Sequence, residues 1–254
     1  MKGKNSLLKI LSPLITLAAF LLAWFVLAKI IDVEILLPDP TKVLASFWEL
    51  ISNQSGNFYS AVWATLLRAG AGFLISFVLA LVFVALSLVS AVVERAISPL
   101  VLIARATPTM SIILLALVWL NANLSPVLVG VLISFPALYS ALMGCIRGVD
   151  PALIEMAKVY KVGFFSRITK LYVPCVVPSF SEQCASITSL NLKVVIAGEV
   201  LAQSTISMGL EMQLAKVMLE MPDLFAWTAV AIILSFAAEW CVKRLFRLLP
   251  GGRV

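Results

Sequence analysis

The chain has 254 residues, of which 62% are apolar and 13% are charged, and its mean hydropathy is +1.07. A typical soluble domain is about 45–50% apolar and about 25% charged, so this composition excludes a disordered chain and argues against a soluble enzyme. The sequence contains no histidine, which removes the most common metal ligand and general base. In a membrane protein, the net charge of +6 indicates orientation rather than nucleic-acid binding.

Six apolar runs predict membrane-spanning helices, because each approaches the roughly 20 residues that cross a bilayer. They cover residues 11–31, 61–86, 97–120, 126–145, 178–201 and 225–242. Each span must be helical, since lipid offers no partner for open backbone groups. The first run follows three lysines, as a signal peptide does, but it is longer and lacks a clear cleavage site, so we expect it to be retained. The sequence thus predicts an all-α membrane protein with about six transmembrane helices in a single domain over 1–254.

The distribution of basic residues predicts the orientation of the chain. With both termini inside, thirteen of the nineteen lysines and arginines fall on the cytoplasmic side, and only four fall at outer ends and loops. Such an excess marks the cytoplasmic side. The thirteen are Lys2, Lys4, Lys9, Arg95, Arg147, Lys158, Lys161, Arg167, Lys170, Lys243, Arg244, Arg247 and Arg253.

The connection after the first span predicts a short helix on the outer surface. Asp39 and Pro40 form an N-cap and first-turn pair. Apolar residues then recur at helical spacing, which is typical of an amphipathic helix. They are Val43, Leu44, Phe47, Leu50 and Ile51.

The inner connection 147–174 is too polar to cross the bilayer and too long for a simple turn. Asp150 and Pro151 again predict a helix start, followed by about ten helical residues. Leu153, Ile154, Ala157 and Tyr160 mark one face of this helix, while Glu155, Lys158 and Lys161 face elsewhere. Gly163 is expected to allow a backbone turn. A second short segment follows, beginning with Phe164 and ending at Pro174, so that the loop forms a helix–turn–helix platform for a partner surface.

Several motifs resemble those of one transporter family. Glu155-Met156-Ala157, with Val173-Pro174 ending nineteen residues after the glutamate, looks like the EAA loop of importer-type ABC transporter permeases. Leu37-Pro38-Asp39-Pro40 is similar to the entry after the first span in nitrate/sulfonate/taurine-type permeases. Further motifs follow in the expected order across residues 36–245: Pro99, Arg105-Ala106-Thr107-Pro108, Phe135-Pro136, Gly148-Val149-Asp150, Ala197-Gly198-Glu199 and Gly209.

The resemblance implies a type I importer fold, in which the EAA loop forms coupling helices that dock on a cytoplasmic ATPase. The implied coupling residues in this sequence are Asp150, Glu155, Met156, Ala157, Tyr160, Lys161, Gly163, Phe164 and Pro174. Two positions depart from the family: Met156 replaces an alanine, and Lys161 stands where the family has glycine. The coupling turn is therefore expected to shift to Gly163 or to become a more continuous helix.

A polar stripe in the fifth span is the candidate substrate path. Its members recur at steps of three or four residues, which places them on one helix face: Ser179, Glu182, Ser186, Ser189 and Lys193. Ionisable groups inside a membrane are costly, so the stripe is expected to face a water-filled path or a neighbouring helix. Glu199 and Arg105 are further candidates, although a structural or docking role for Glu199 and snorkelling of Arg105 to the headgroups are equally open.

The sequence has no phosphate loop of the G-x-x-x-x-G-K-[ST] type, so ATP and Mg are expected on a partner and no cofactor on this chain. We expect a non-enzymatic permease of the bacterial cytoplasmic (inner) membrane that imports a small solute, either an anion such as nitrate, sulfonate or taurine or a vitamin precursor such as a pyrimidine. The resemblance implies as partners a second permease copy, two ATPase subunits and an external binding protein. The alternatives are an ion-coupled secondary transporter or channel that uses Glu182 and Lys193, and a structural membrane scaffold.

Overall fold

The computed structural model of the protein describes residues 2–52 and 56–248, and the side chains of 2–11, 13, 14 and 164 are outside this description. The side chains of Lys2, Lys4, Lys9 and Phe164, and all of Arg253, therefore lie outside the described part. Within the described part every regular element is a helix. The helices are α1 Lys2–Ile31, α2 Pro40–Ile51, α3 Phe58–Val89, α4 Ala91–Ala106, α5 Thr109–Trp119, α6 Ser125–Arg147, α7 Pro151–Val159, α8 Phe164–Arg167, a π-helical segment Ile168–Tyr172, α9 Val173–Ala202, α10 Met208–Val217 and α11 Met221–Phe246.

Four described helices are long and apolar enough to cross a membrane: Phe58–Val89, Ser125–Arg147, Phe165–Ala202 and Met221–Phe246. α4 and α5 together pass the same test as a broken fifth span. The apolar part of α1 that the structure describes in full, Ile15–Ile31, has 17 residues and measures about 25 Å. The prediction of an all-α membrane protein is confirmed, with four or five candidate spans by length and composition where the sequence predicted about six.

The third predicted span, 97–120, is wrong as a single helix, because α4 and α5 meet at an angle of 101°. Pro108 disfavours helical backbone at the residue before it, and Thr107 is accordingly extended, with φ −69° and ψ 130°. The apolar run conceals this break, since both halves have the composition of a membrane helix. Arg105 lies in the last turn of α4, immediately before the bend.

The short helix after α1 is confirmed as α2. The Asp39 side chain caps it by accepting a hydrogen bond from the Thr41 backbone N–H at 3.0 Å, and Pro40 follows at the first helical position. That bond, together with the Lys29 ammonium at 3.0 Å, lowers the pKa of Asp39 to about 2. Val43 and Leu50 are buried. Leu44 is 68% exposed, so the predicted apolar face is narrower than the sequence suggested.

The chain divides into two compact units. One contains the chain up to Tyr59 together with Glu211–Val230, where the rings of Phe58 and Trp227 lie 5.5 Å apart. The other contains Ser60–Leu210 and the chain from Ala231 onward. Its main core joins α3, α4, α6 and α9, and a second core joins α5, α6 and α9. The candidate sites described in the next subsection all lie in this second unit.

Candidate functional site

α7 begins where the sequence predicts. The Asp150 side chain accepts a hydrogen bond from the Ala152 N–H at 2.9 Å, and Pro151 occupies the first helical position. Ala157 is buried and Ile154 packs against the main core. The inner face of α7 is therefore held against the main core, and its opposite face is exposed.

The exposed face of α7 is more apolar than predicted. Tyr160 is 77% exposed, so its assignment to the same face as Ala157 is wrong. It lies at the helix C-cap, where the chain has already turned away from the buried side. We define the α7 tip as this exposed surface and its continuation into α8, made of Glu155, Met156, Val159, Tyr160 and Phe165.

The turn after α7 occurs at Lys161 and not at Gly163. Lys161 has φ +51°, the left-handed conformation that favours glycine, whereas Gly163 has no positive φ. The Val162 N–H donates to the Ala157 carbonyl at 3.0 Å and closes the helix end. Lys161, which stands where the family has glycine, therefore still forms the turn and adopts a backbone conformation that is strained for lysine.

The segment after the turn does not end at Pro174. α8, the π-helical segment and α9 form one continuous helix, Phe165–Ala202. In the π-helical part the Val173 N–H donates to the Ile168 carbonyl, five residues back. This wider turn lets the helix continue into Pro174, which lacks a backbone donor and lies in the first turn of α9.

The polar stripe of α9 is largely on an open face of the chain. Four of its five members are exposed, and the fifth, Ser189, is 8% exposed. The neighbouring faces of α9 are buried against α6, where Val195 and Cys184 have no exposed surface. The stripe is therefore the side of α9 that lacks a partner among the described residues. Its exposed members are Ser179, Glu182, Ser186 and Lys193.

Glu199 has a different environment from the stripe. Its side chain is fully buried and forms an ion pair with Arg68 of α3 at 2.8 Å. It also accepts hydrogen bonds from the Thr65 hydroxyl at 2.8 Å and from the Gly209 N–H at 3.3 Å. The structure thus places Glu199 in a saturated polar network rather than on an open face, which corresponds to the structural role left open by the sequence.

The same network fixes the segment between α9 and α10. Arg68 donates to the Ile206 carbonyl at 2.9 Å and to the Asn123 side chain at 3.1 Å. The Ser204 hydroxyl donates to the Ala122 carbonyl at 2.7 Å. A Cβ on Gly209 would lie 2.5 Å from the Glu199 Cβ, so only glycine allows this approach. We call these contacts the Glu199 network.

A second polar centre lies in α9, at Asn191. The buried Asn191 side chain accepts a hydrogen bond from the Ser134 hydroxyl at 3.0 Å and donates to the Ala69 carbonyl at 2.7 Å. A Cβ on Gly130 would approach the Asn191 side-chain oxygen to 2.7 Å. Asn191 therefore joins α9 to both α3 and α6, and glycine in α6 makes room for it.

Comparison with known proteins gives three related sequences, and no protein-family model matches. The putative aliphatic sulfonates transport permease protein of Bacillus subtilis (strain 168) is 29% identical over 144 residues, which are 56% of this chain and 51% of that protein. A probable ABC transporter permease protein of Haemophilus influenzae is 21% identical over 93% of this chain and 97% of its own length. The riboflavin transport system permease protein of Chloroflexus aurantiacus is 25% identical over 84% and 79%. The first of these matches thus spans about half of its relative.

The chain is thus similar in sequence to ABC transporter permeases over most of its length. A solved structure described as an amino acid ABC transporter with histidines has the same fold, with a TM-score of 0.67 at 14% identity. The similarity covers 78% of this chain and 97% of the chain in the solved structure. The multi-pass helical architecture and the family resemblance are therefore confirmed.

The sequence did not predict the roles of two polar residues, Arg68 and Asn191. Arg68 lies within α3 and pairs with Glu199, a pairing that the sequence did not predict. An arginine inside an apolar run is a signal in itself, because an unpaired charge in lipid is costly. Asn191 carries a weaker signal, since an amide in a membrane helix can also face water. Arg105 is exposed and makes no ion pair within residues 2–52 and 56–248.

Proposed function

We propose that this chain is the permease subunit of an importer-type ABC transporter and that it carries a small solute across the cytoplasmic (inner) membrane of a bacterium. Two copies form the path, two cytoplasmic ATPase subunits bind ATP and Mg, and an external binding protein delivers the solute. The observation that carries the proposal is the α7 tip, an exposed surface held by a capped helix with a buried inner face.

The chemistry of the α7 tip suits a protein partner. Tyr160 and Phe165 are 77% and 78% exposed, and Met156 is 49% exposed. Aromatic residues and methionine are enriched at the cores of protein interfaces. The Glu155 carboxylate beside them adds one charge for specificity. Closure of the ATPase subunits would move this surface, and α7 would pass the movement to the main core through Ile154.

The basic residues support a position of the α7 tip on the cytoplasmic side of the membrane, which is the side that contains ATP. Five basic residues lie within or beside α7 and α8 in the sequence: Arg147, Lys158, Lys161, Arg167 and Lys170. A segment this rich in lysine and arginine typically faces the cytoplasm. This orientation puts both termini inside.

The α9 stripe is the proposed path. Glu182 and Lys193 would be costly against lipid, so their exposed face requires water or a second copy of the chain. Ser179, Ser186 and Ser189 extend the polar surface between and beyond them. Lys193 supplies the positive charge that a small anion such as a sulfonate needs, and Arg105 is a second candidate contact. The names of the relatives include both sulfonate and riboflavin transport, so a vitamin-like solute is the other candidate substrate.

Co-purification from native membranes tests the assignment. The tagged chain is extracted in mild detergent, and the proteins that remain bound are identified by mass spectrometry. We expect an ATPase with a G-x-x-x-x-G-K-[ST] loop, and we expect Glu155→Lys to remove it. Glu220→Lys makes the same charge change at an exposed position predicted to lie outside, and it should retain the ATPase.

The outcome separates the candidate functions. An ATPase that stays bound to Glu155→Lys would contradict docking at the α7 tip. A chain that never binds an ATPase, and whose transport depends on the membrane potential or a proton gradient, would instead be an ion-coupled transporter or channel.

A further inference from the structure

A line of exposed side chains follows the last turns of α11. Ile233, Phe236, Trp240, Arg244 and Arg247 are separated by steps of three or four residues, which places them on one narrow side of the helix. Arg247 follows the end of α11, and its N–H still donates to the Lys243 carbonyl at 3.3 Å. All five side chains are exposed, including Phe236 at 69% and Trp240 at 59%. We call this line the α11 stripe.

The α11 stripe changes from apolar to cationic along its length. Its two arginines have no ion pair in the part of the chain that the structure describes, whereas the neighbouring Lys243 pairs with Glu239 at 2.8 Å. The Arg244 guanidinium lies over the Trp240 ring, 4.9 Å from its centroid. Stacking on an aromatic face leaves the N–H groups at the edge of the guanidinium free for an anion. A planar guanidinium binds phosphate oxygens through paired hydrogen bonds.

The dimensions of the stripe match one leaflet of a bilayer. Ile233 and Trp240 are about 10 Å apart along the helix, and Arg244 is about 6 Å further on. Half of a hydrocarbon core is about 15 Å thick, and tryptophan is enriched at its boundary. A membrane-spanning α11 would therefore carry Trp240 at the level where acyl chains meet headgroups, with the arginines beyond it.

We propose that the α11 stripe binds an anionic phospholipid. Its phosphate contacts Arg244 and Arg247, and its acyl chains lie along Phe236 and Ile233. The two unpaired positive charges select an anionic over a zwitterionic headgroup, and the exposed apolar side chains select a lipid over a free phosphate ion. This inference does not depend on the transported solute or on the ATPase partner.

Native mass spectrometry of the purified chain in detergent tests the site. The chain is titrated with phosphatidylglycerol, with phosphatidylcholine and with inorganic phosphate. We expect phosphatidylglycerol to bind more tightly than phosphatidylcholine, and inorganic phosphate not to displace it. Basic side chains near an anionic membrane contribute about 1 kcal/mol each, so Arg244→Gln/Arg247→Gln should weaken phosphatidylglycerol binding roughly thirty-fold.

Matched variants distinguish a site from general positive charge. Arg95→Gln/Lys170→Gln removes the same charge from exposed positions on the same predicted side, and it should change the affinity less than two-fold. Arg244→Lys keeps the charge and loses the planar donor set, so we expect an intermediate loss. Equal binding of phosphatidylglycerol to both double variants would overturn the proposal. Displacement by inorganic phosphate, or equal affinity for phosphatidylcholine, would also overturn it.

Discussion

Arg68 and Glu199 form an ion pair at 2.8 Å, and the Glu199 side chain has no exposed surface. Arg68 lies on α3 and Glu199 lies on α9, 131 residues further along the chain. The same carboxylate accepts hydrogen bonds from Thr65 and from the backbone of Gly209. The pair thus joins two long helices, and the Glu199 carboxylate also holds the start of α10.

Removal of one charge from this pair is expected to destabilise the fold strongly. Arg68→Met leaves the buried Glu199 carboxylate without its counterion, which typically costs about 3–5 kcal/mol. Glu199→Leu leaves the half-buried Arg68 guanidinium with only its two neutral acceptors, so its cost should be smaller. The free energy of unfolding in mixed detergent micelles measures the effect. The double variant Arg68→Met/Glu199→Leu buries no unpaired charge, so its cost should be clearly smaller than the sum of the single costs. Additive costs would mean that the two side chains do not depend on each other.

Gly209 should be intolerant of a side chain. In Gly209→Ala the new Cβ meets the Glu199 Cβ at 2.5 Å and the Val200 backbone nitrogen at 2.7 Å. Because a backbone atom cannot rotate away, we expect a loss of about 1–3 kcal/mol in the free energy of unfolding. Gly70→Ala is the control, since a Cβ on this helical glycine meets nothing within 4 Å. It should be neutral or stabilising by up to about 1 kcal/mol, and equal losses at both positions would contradict the steric explanation.

The local features of this fold were predictable, because their causes lie next to each other in the sequence. Asp39-Pro40 and Asp150-Pro151 each carry a capping side chain and a preset backbone angle, and both helices start there. The Glu199 network was not predictable in the same way. Its partners come from distant segments, and neither the spacing nor the periodicity of the sequence relates Arg68 to Glu199.

The break between α4 and α5 and the turn at Lys161 were missed for another reason. At Pro108 the local signal was present, but the predominantly apolar composition of residues 97–120 outweighed it. At Lys161 the packing of α7 against the core fixes the turn, and the residue adopts φ +51° against its own preference. Tertiary contacts determine the backbone conformation at such positions, so the residue type alone does not predict it.

Lys161→Gly is expected to stabilise the end of α7. A left-handed backbone costs a non-glycine residue roughly 1–2 kcal/mol, and part of this gain is lost to the greater freedom of glycine in the unfolded chain. We expect a net gain of up to about 1 kcal/mol in the free energy of unfolding. Lys158→Gly is the matched control, because it removes the same side chain inside the helix and should cost up to about 1 kcal/mol. A loss of stability in Lys161→Gly would contradict the assigned turn.

The cap of α2 should weaken only in strong acid. The Thr41 N–H and the Lys29 ammonium lower the pKa of Asp39 from 3.8 to about 2, because both favour the charged carboxylate. A lowered folded-state pKa gives stability that is present above 3.8 and is lost as the pH falls through about 2. Asp39→Asn retains a capping oxygen without the charge, so it provides the reference.

The cap is tested by the difference in thermal midpoint between the parent chain and Asp39→Asn, measured from pH 6 to pH 2. The difference should be positive and constant down to about pH 4, and should then shrink toward zero as Asp39 gains a proton. Other carboxylates titrate in both proteins and cancel in the difference. Lys29→Met removes one of the two groups that lower the pKa, so in that background the difference should be smaller above pH 4 and should reach zero at a higher pH. A difference that stays constant to pH 2 would show that the charge of Asp39 does not stabilise α2.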